Sequence, residues 1–336
     1  MTLRVCIIGF GNVGRSLARL LLDRANALRA EYDLRICVTG VASRRMGFHT
    51  HPEHLDLEVL LDGRWQPGAP FSSDQIGEWL DQSRADALVE LSSLEPLTGQ
   101  PATDHLRAAL LTGRHAITAN KGPVVHAYGE LADLAHEKGV ALRFEAATCD
   151  CIPVYSLFRD ALPLAHVTGF RGLLNNTTSI ILETMERGGS FDQGVLEAQR
   201  RGVAETDPRH DVDGMDAAVK LLAIARVLMG QPLAVAEVER EGIRGLDPTA
   251  VVRAYQRGTP IRLVASLTRR GSAVEARVGP RSLAVDDPFH QLDAMSLALH
   301  FETDLVPGLT LVGHGLDARS TAYGVLCDLI NVARGR

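Results

Sequence analysis

No stretch of this 336-residue chain approaches the roughly 18 to 20 uninterrupted apolar residues that a membrane-spanning helix needs. No membrane partner is therefore expected. The opening segment MTLRVCIIGFGNVG has neither a charged leader nor a small-residue cleavage site, so no signal peptide and a cytoplasmic location are expected. Cysteine is scarce. The five residues Cys6, Cys37, Cys149, Cys151 and Cys327 form an odd, scattered set that reads as reduced thiols and not as a disulfide framework. Lys and Arg form no block and the formal net charge is -6, which argues against nucleic acid as the main partner, because phosphate neutralisation needs clustered cations. Internal repeats, low-complexity tracts and obvious flexible linkers are also missing.

What is present is an ordinary globular composition, 46% apolar and 23% charged. A chain of 336 residues exceeds the roughly 250 to 300 at which single cores stop growing, so two domains and a small-molecule partner are expected. Leu3 to Ile8 is a short run rich in Ile and Val, followed by glycines and a helical pattern over Val13 to Leu28. Further apolar runs at Leu34 to Ala42, Ala87 to Leu91 and Ala116 to Thr118 alternate with helix-like segments such as Thr103 to Leu111. That alternation predicts an α/β fold, a doubly wound parallel Rossmann sheet. The segment Met46 to Asp74 lacks periodicity and reads as an irregular excursion.

Beyond about residue 145 the texture changes to a second, α+β domain. Strands are expected at Val167 to Leu174, Ile261 to Leu267 and Ala273 to Val278, the last two in an antiparallel sheet. Helices are expected at Thr178 to Arg187, Asp216 to Met229 and Thr321 to Ala333. The expected division is 1–144 plus 308–336 for dinucleotide binding and 145–307 for substrate binding, catalysis and dimerisation.

Gly9, Phe10, Gly11, Asn12, Val13 and Gly14 follow the first strand and open a helix, the context that a dinucleotide fingerprint requires. Gly9 makes the tight turn, Gly11 admits the pyrophosphate to the backbone, and Gly14 lets helix pack on strand. The helix N-terminus favours the anion. NAD selectivity usually rests on an acidic residue at the end of the second strand. None stands there. Ser43, Arg44 and Arg45 do, and they either hold the 2'-phosphate of NADP or are solvated loop charges. The cofactor expected is NADP, with NAD as the alternative.

Three further segments carry a resemblance: NKGP from Asn120 to Pro123, GLLNNTT from Gly172 to Thr178, and EAQRRGVAETDPRHDVDGMDAAVK from Glu197 to Lys220. The last resembles the homoserine dehydrogenase signature, and the similarity runs from the glycine motif to TAYG at Thr321 to Gly324, with no regulatory extension expected after it. Asp216 and Lys220 lie four apart on one helical face and can pair. A lysine beside a carbonyl that accepts hydride can polarise it and deliver the proton. The resemblance implies that Lys220 is this acid/base, that Lys121 assists where cofactor and substrate meet, and that Glu205 and Asp216 hold the ammonium and hydroxyl groups of an amino-acid substrate. It also implies Asn175 and Thr177 at the substrate, and Ser92, Ser93, Lys121 and Gly202 at the cofactor. A Na or K ion is implied at main-chain carbonyls of Glu145, Thr148, Asp150 and Ile152. The implied reaction interconverts L-aspartate 4-semialdehyde and L-homoserine, in threonine and methionine biosynthesis, by a homodimer built through the second sheet. Asp207 and Asp211 read equally as loop caps or as supports behind the site.

The family pattern is broken in three places: Cys149, Asp150 and Cys151 replace small residues, NGTTN becomes NNTTS at Asn175 to Ser179, and the late glycine loop reads GHGLDAR from Gly313. These changes leave open a related enzyme for another small hydroxy acid or aldehyde. A non-catalytic dinucleotide sensor is the rival of another class, and the complete set Lys121, Asp216 and Lys220 argues against it. His49, His51 and His54 read as a polar loop or a zinc site, and Cys149 with Cys151 as packed thiols or a redox or metal pair.

Overall fold

Alternation along the first strand explains the architecture of the N-terminal part. In β1 (Thr2–Ile8), Val5 and Ile7 enter one buried cluster while Cys6 and Ile8 enter another, so the strand is covered on both faces. Such double covering is what a parallel sheet requires. The computed structural model describes residues 1–271 and 273–335. It separates into two compact units, 1–153 with 318–336, and 154–317.

In the first unit β1 leads through the glycine turn into α1 (Asn12–Tyr32), followed by β2 (Arg35–Ser43), β3 (Gly47–Thr50), α2 (Leu57–Leu61), α3 (Ile76–Gln82) and β4 (Ala87–Glu90). Then come α4 (Ala102–Leu111), β5 (His115–Thr118), α5 (Lys121–Lys138), β6 (Leu142–Arg143) and the single turn α6 (Ala146–Cys149). The sheet order is β3-β2-β1-β4-β5-β6, parallel except for the β2–β3 hairpin. Met46 to Asp74, expected to be irregular, contains β3 and α2. The strand is only four residues long, and α2 begins where Asp56 accepts hydrogen bonds from the Glu58 and Val59 amides, so neither could show a period.

The second unit opens with the short turn α7 (Val154–Ser156), then β7 (Val167–Leu173), α8 (Asn176–Glu186), α9 (Phe191–Arg200), α10 (Arg209–Val212), α11 (Met215–Met229) and β8 (Glu239–Arg240). It continues with α12 (Pro248–Gln256), β9 (Ile261–Arg270), β10 (Ala273–Ser282), β11 (Leu297–Thr303) and β12 (Leu309–Gly313). Its sheet runs β12-β11-β7-β9-β10-β8, antiparallel except where β8 lies beside β10. Local rules set the helix ends: Ser190 and Gln193 form a reciprocal cap at α9, Asp247 caps α12 with Pro248 in its first turn, and α11 stops at Gly230.

The chain then returns to the first unit as α13 (Ala318–Ala333), whose Ala322, Val325 and Leu329 join Leu17 and Leu21 of α1 in the cluster behind β1. Each such Leu or Val contributes about 1.5–3 kcal/mol when fully buried. Two segments fall outside the division expected from sequence. Residues 145–153 belong with the first unit because Glu145 N donates to the buried Asp328 carboxylate of α13 at 2.9 Å. Residues 308–317 belong with the second because β12 pairs with β11.

Candidate active site

The glycine turn takes the form its sequence implies. Gly9 has φ +95°, and a Cβ there would lie 2.4 Å from the Leu91 carbonyl oxygen. A Cβ on Gly14 would lie 2.4 Å from the Gly9 carbonyl oxygen, so α1 can approach β1 only without a side chain. Gly11 differs: nothing stands within 4 Å of its Cβ position. Two glycines thus serve the protein's own packing, and the third leaves a surface open to a ligand. Phe10 is buried, while Asn12 is exposed at the head of α1.

Of the other residues expected at the cofactor, all but Gly202 belong to the same unit as this turn. Ser43 ends β2 and accepts a hydrogen bond from Met46 N at 3.1 Å; Arg44 and Arg45 follow it, exposed. The Arg45 guanidinium lies over the Trp65 ring, 5.7 Å from its centroid, a contact that links β2 to the segment after α2. Ser92 and Ser93 follow β4, and their carbonyls accept from Asn120 Nδ2 at 3.2 and 3.4 Å. Asn120 also caps α5 by accepting from Gly122 N, which fixes the first helical residue, Lys121, beside them. Gly202 (φ +72°) stands in the second unit, in the turn that ends α9.

In the second unit a half-buried polar cluster forms where β7 hands over to α8. Lys220 Nζ lies 3.0 Å from Asp216 Oδ2, one turn earlier on α11, and donates to the Leu174 carbonyl at 2.6 Å. Asn175 uses both ends of its amide: Oδ1 accepts from Thr178 N and caps α8, and Nδ2 donates to Asp216 Oδ2 at 3.0 Å and to Asp211 Oδ1 at 2.7 Å. Thr177 is buried and hydrogen-bonded to Asp211. Burial first, and the neighbouring Asp216 charge second, push the Asp211 carboxyl above the usual aspartate range, while Asn175, Thr177 and Lys220 oppose the shift.

The cluster separates two aspartates that the sequence leaves equivalent. Asp207 is exposed and caps its own loop, accepting from the Arg209 backbone and guanidinium. Asp211 lies inside the site and was missing from the expected substrate residues. Its spacing, five before Asp216, carries no helical signal, because Gly214 (φ +75°) breaks the chain between α10 and α11. Glu205 is exposed in the loop before α10, and its main-chain carbonyl accepts from Gln199. Asn176, where the family pattern has glycine, has its Oδ1 buried with no hydrogen-bond partner among the described residues.

The loop expected to hold an ion forms α6 and the turn after it. Thr148 Oγ1 is buried there without a partner among the described residues. Asp150 (φ 54°) accepts from the Thr321 hydroxyl at 2.6 Å, and Ile152 N donates to the Cys149 carbonyl. Cys149 is buried and Cys151 half-buried, with burial raising the Cys151 thiol. No group of three or more His, Cys, Asp or Glu among the described residues can hold a metal. The zinc reading of His49, His51 and His54 gains nothing: His51 Nδ1 accepts from the Glu53 and His54 amides, and His49 packs on Trp65. No helix among the described residues is long and apolar enough to cross a membrane.

A ligand-open glycine turn on a doubly covered parallel sheet, and in the other unit a lysine held by an aspartate and a main-chain carbonyl, fit an NAD(P)-dependent oxidoreductase acting on a CH-OH group. Comparison with known proteins gives the family. Residues 9–145 match the model for the homoserine dehydrogenase NAD-binding domain, and residues 153–330 the model for homoserine dehydrogenase. A homoserine dehydrogenase of Methanocaldococcus jannaschii is 31% identical over 98% of each chain. An NAD(+)-dependent homoserine dehydrogenase of Pseudomonas canavaninivorans is 31% identical over 98% of this chain and 96% of that one. The crystal structure of a putative homoserine dehydrogenase from Archaeoglobus fulgidus superposes with a TM-score of 0.86 at 29% identity, covering 98% of this chain and 99% of that one. The chain belongs to the homoserine dehydrogenase family.

Proposed function

We propose that the chain carries out the reaction of its family, interconverting L-aspartate 4-semialdehyde and L-homoserine, with Lys220 as the acid/base. The observation that carries the proposal is the connected, largely shielded set Lys220, Asp216, Asn175 and Asp211. In reduction, Lys220 Nζ gives the aldehyde oxygen its proton as hydride reaches the carbon; in oxidation it takes that proton back. Asp216 aims the ammonium, and with Glu205 it receives the substrate's ammonium and hydroxyl groups. Asn175 and Thr177 hold the carboxylates in register, and Lys121 assists at the cofactor side. A dinucleotide sensor would have no use for this set.

When bound, the nicotinamide supplies or accepts the hydride. Gly9 to Gly14, Ser92, Ser93, Lys121 and Gly202 are the residues proposed to hold the cofactor, and the open face of Gly11 supports the fit. NADP is the proposed form. Ser43 and Arg44 would hold the 2'-phosphate, and Arg45, stacked on Trp65, would support them. We extend the proposal to a Na or K ion at the main-chain oxygens of Glu145, Thr148, Asp150 and Ile152, where the unsatisfied Thr148 hydroxyl supports an oxygen-seeking guest. A cytoplasmic homodimer paired through the second sheet, working in threonine and methionine biosynthesis, completes the reading. The orphan Asn176 Oδ1 favours a second reading, a pocket reshaped for another small hydroxy acid or aldehyde.

The test is absorbance at the reduced-nicotinamide band with purified protein, L-homoserine and either NADP or NAD, beside a panel of other hydroxy acids and amino alcohols. Turnover with L-homoserine supports the proposal. Reduction of cofactor only with another compound replaces it with the second reading.

A further inference from the structure

A buried glutamate at the end of β4 takes no part in the chemistry above. Glu90 is fully buried, as are His105 and Thr118 beside it, while Ser92 is half-buried. Its Oε1 accepts from Ser92 N at 3.0 Å and contacts His105 Nδ1 at 3.4 Å; its Oε2 lies 3.2 Å from Thr118 Oγ1 on the neighbouring strand. The Thr118 hydroxyl in turn accepts from Asn120 N at 2.9 Å, and Asn120 Nδ2 returns to the Ser92 carbonyl. Ser92 is thus gripped at its N-H by Glu90 and at its carbonyl by Asn120. On the far side, His105 is held by the Ser73 hydroxyl at 3.2 Å and by the edge of the Phe71 ring.

A carboxylate buried this deeply is costly unless its lone pairs are used. Placing one at a strand end needs a reason beyond packing, and two observations point to the cofactor. The clamped peptide is the one that abuts the glycine turn: a Cβ on Gly9 would lie 2.9 Å from Ser92 N. The hydroxyl of the clamped residue, Ser92 Oγ, is buried without a hydrogen-bond partner among the described residues. The backbone is fixed at both ends while its side-chain donor and acceptor stay unspent.

We propose that Glu90, backed by His105, is a positioning residue for cofactor binding, acting through Ser92 and, by way of Thr118 and Asn120, through the start of α5. The inference rests on the reading of this unit as the cofactor's. Glu90→Gln puts an amide donor against the Ser92 N-H or the Thr118 hydroxyl and removes the charge-assisted bond. The dissociation constant for NADPH or NADH, whichever the wild type binds, should rise about tenfold, the order expected for one charge-assisted bond to a buried amide. KM for L-homoserine should change less than about twofold, since a lost cofactor contact does not act through the substrate.

Thr118→Val and Thr118→Ser test the same link from its other end and remain informative if the Glu90 variant fails to fold. The valine should weaken cofactor binding and the serine, which keeps the hydroxyl, should restore it. Nucleotide fluorescence titration gives the constants, and a melting curve on each sample reports folding. Unchanged cofactor affinity in Glu90→Gln, or equal affinity of the Val and Ser variants, would overturn the inference whatever the melting temperatures. A wild type that binds neither nucleotide would overturn the parent reading instead, so the two failures are distinct.

Discussion

Asp211 and Asp216 share one donor: the Asn175 side-chain amide lies 2.7 Å from a carboxylate oxygen of the first and 3.0 Å from one of the second. Two carboxylates meet there across a neutral amide, and the Lys220 ammonium pairs with the second of them. Such an arrangement makes the site's charge state depend on pH.

The Asp211 carboxyl is held above the usual aspartate range by burial and then by Asp216. A raised folded value means that the folded protein keeps the proton more tightly than the unfolded chain. Its contribution to stability is therefore full below the unfolded value, about 3.9, and is lost as pH rises through the folded value. Asp211→Asn stays neutral throughout. The melting temperature of the variant minus that of the wild type should increase as pH is raised from acid to neutral; a difference that stays constant or falls would refute the assignment.

Lys220→Ala should lower kcat by about a thousandfold, within the range for loss of a general acid/base, and leave cofactor affinity unchanged. Arg at this position should not restore turnover, because a guanidinium does not give up its proton near neutral pH. Steady-state kinetics with L-homoserine decides it, and full turnover in the Ala variant would exclude the proposed mechanism.

The glycines of the turn should divide by mechanism. Gly14→Ala meets the Gly9 carbonyl and should destabilise the fold by about 1–3 kcal/mol, the usual result of overpacking. Gly11→Ala meets no protein atom, so its melting temperature should be unchanged while nucleotide affinity falls about tenfold or more. Paired melting and titration curves check this; a Gly11 variant that binds normally would contradict the placement of the pyrophosphate.

Arg44→Ala should raise KM for NADP about tenfold and leave that for NAD nearly unchanged, since only the former carries the 2'-phosphate. Arg45→Ala should act more weakly on this ratio and should also lose its stacking on Trp65. Equal effects of the Arg44 variant on both cofactors would mark that residue as a solvated surface charge.

Much of this site is legible before folding wherever chemistry follows local spacing. The Gly9–Gly14 turn directly follows a strand, and Asp216 with Lys220 obeys the one-turn rule of a helix. For Asp211 the sequence left a loop cap and a support behind the site equally open, because what draws it into the cluster is an amide 36 residues earlier. Glu90 and His105 looked like strand and helix residues, and only burial reveals them as a pair. Arg45 gave no sign of Trp65, since their contact depends on the path of a segment that has little periodicity.

The sequence by itself determined the family, the two kinds of sheet and the pairing of Asp216 with Lys220, because each is written in residues close enough along the chain to interact through helix or strand geometry. Tertiary structure alone decided which polar groups share one buried space. Lys220 reaches the Leu174 carbonyl across 46 residues, Glu145 reaches Asp328 across 183, and β12 joins the second sheet through its register with β11. Those partners are chosen by what remains unsatisfied once water is excluded, a condition that exists only after the chain has folded.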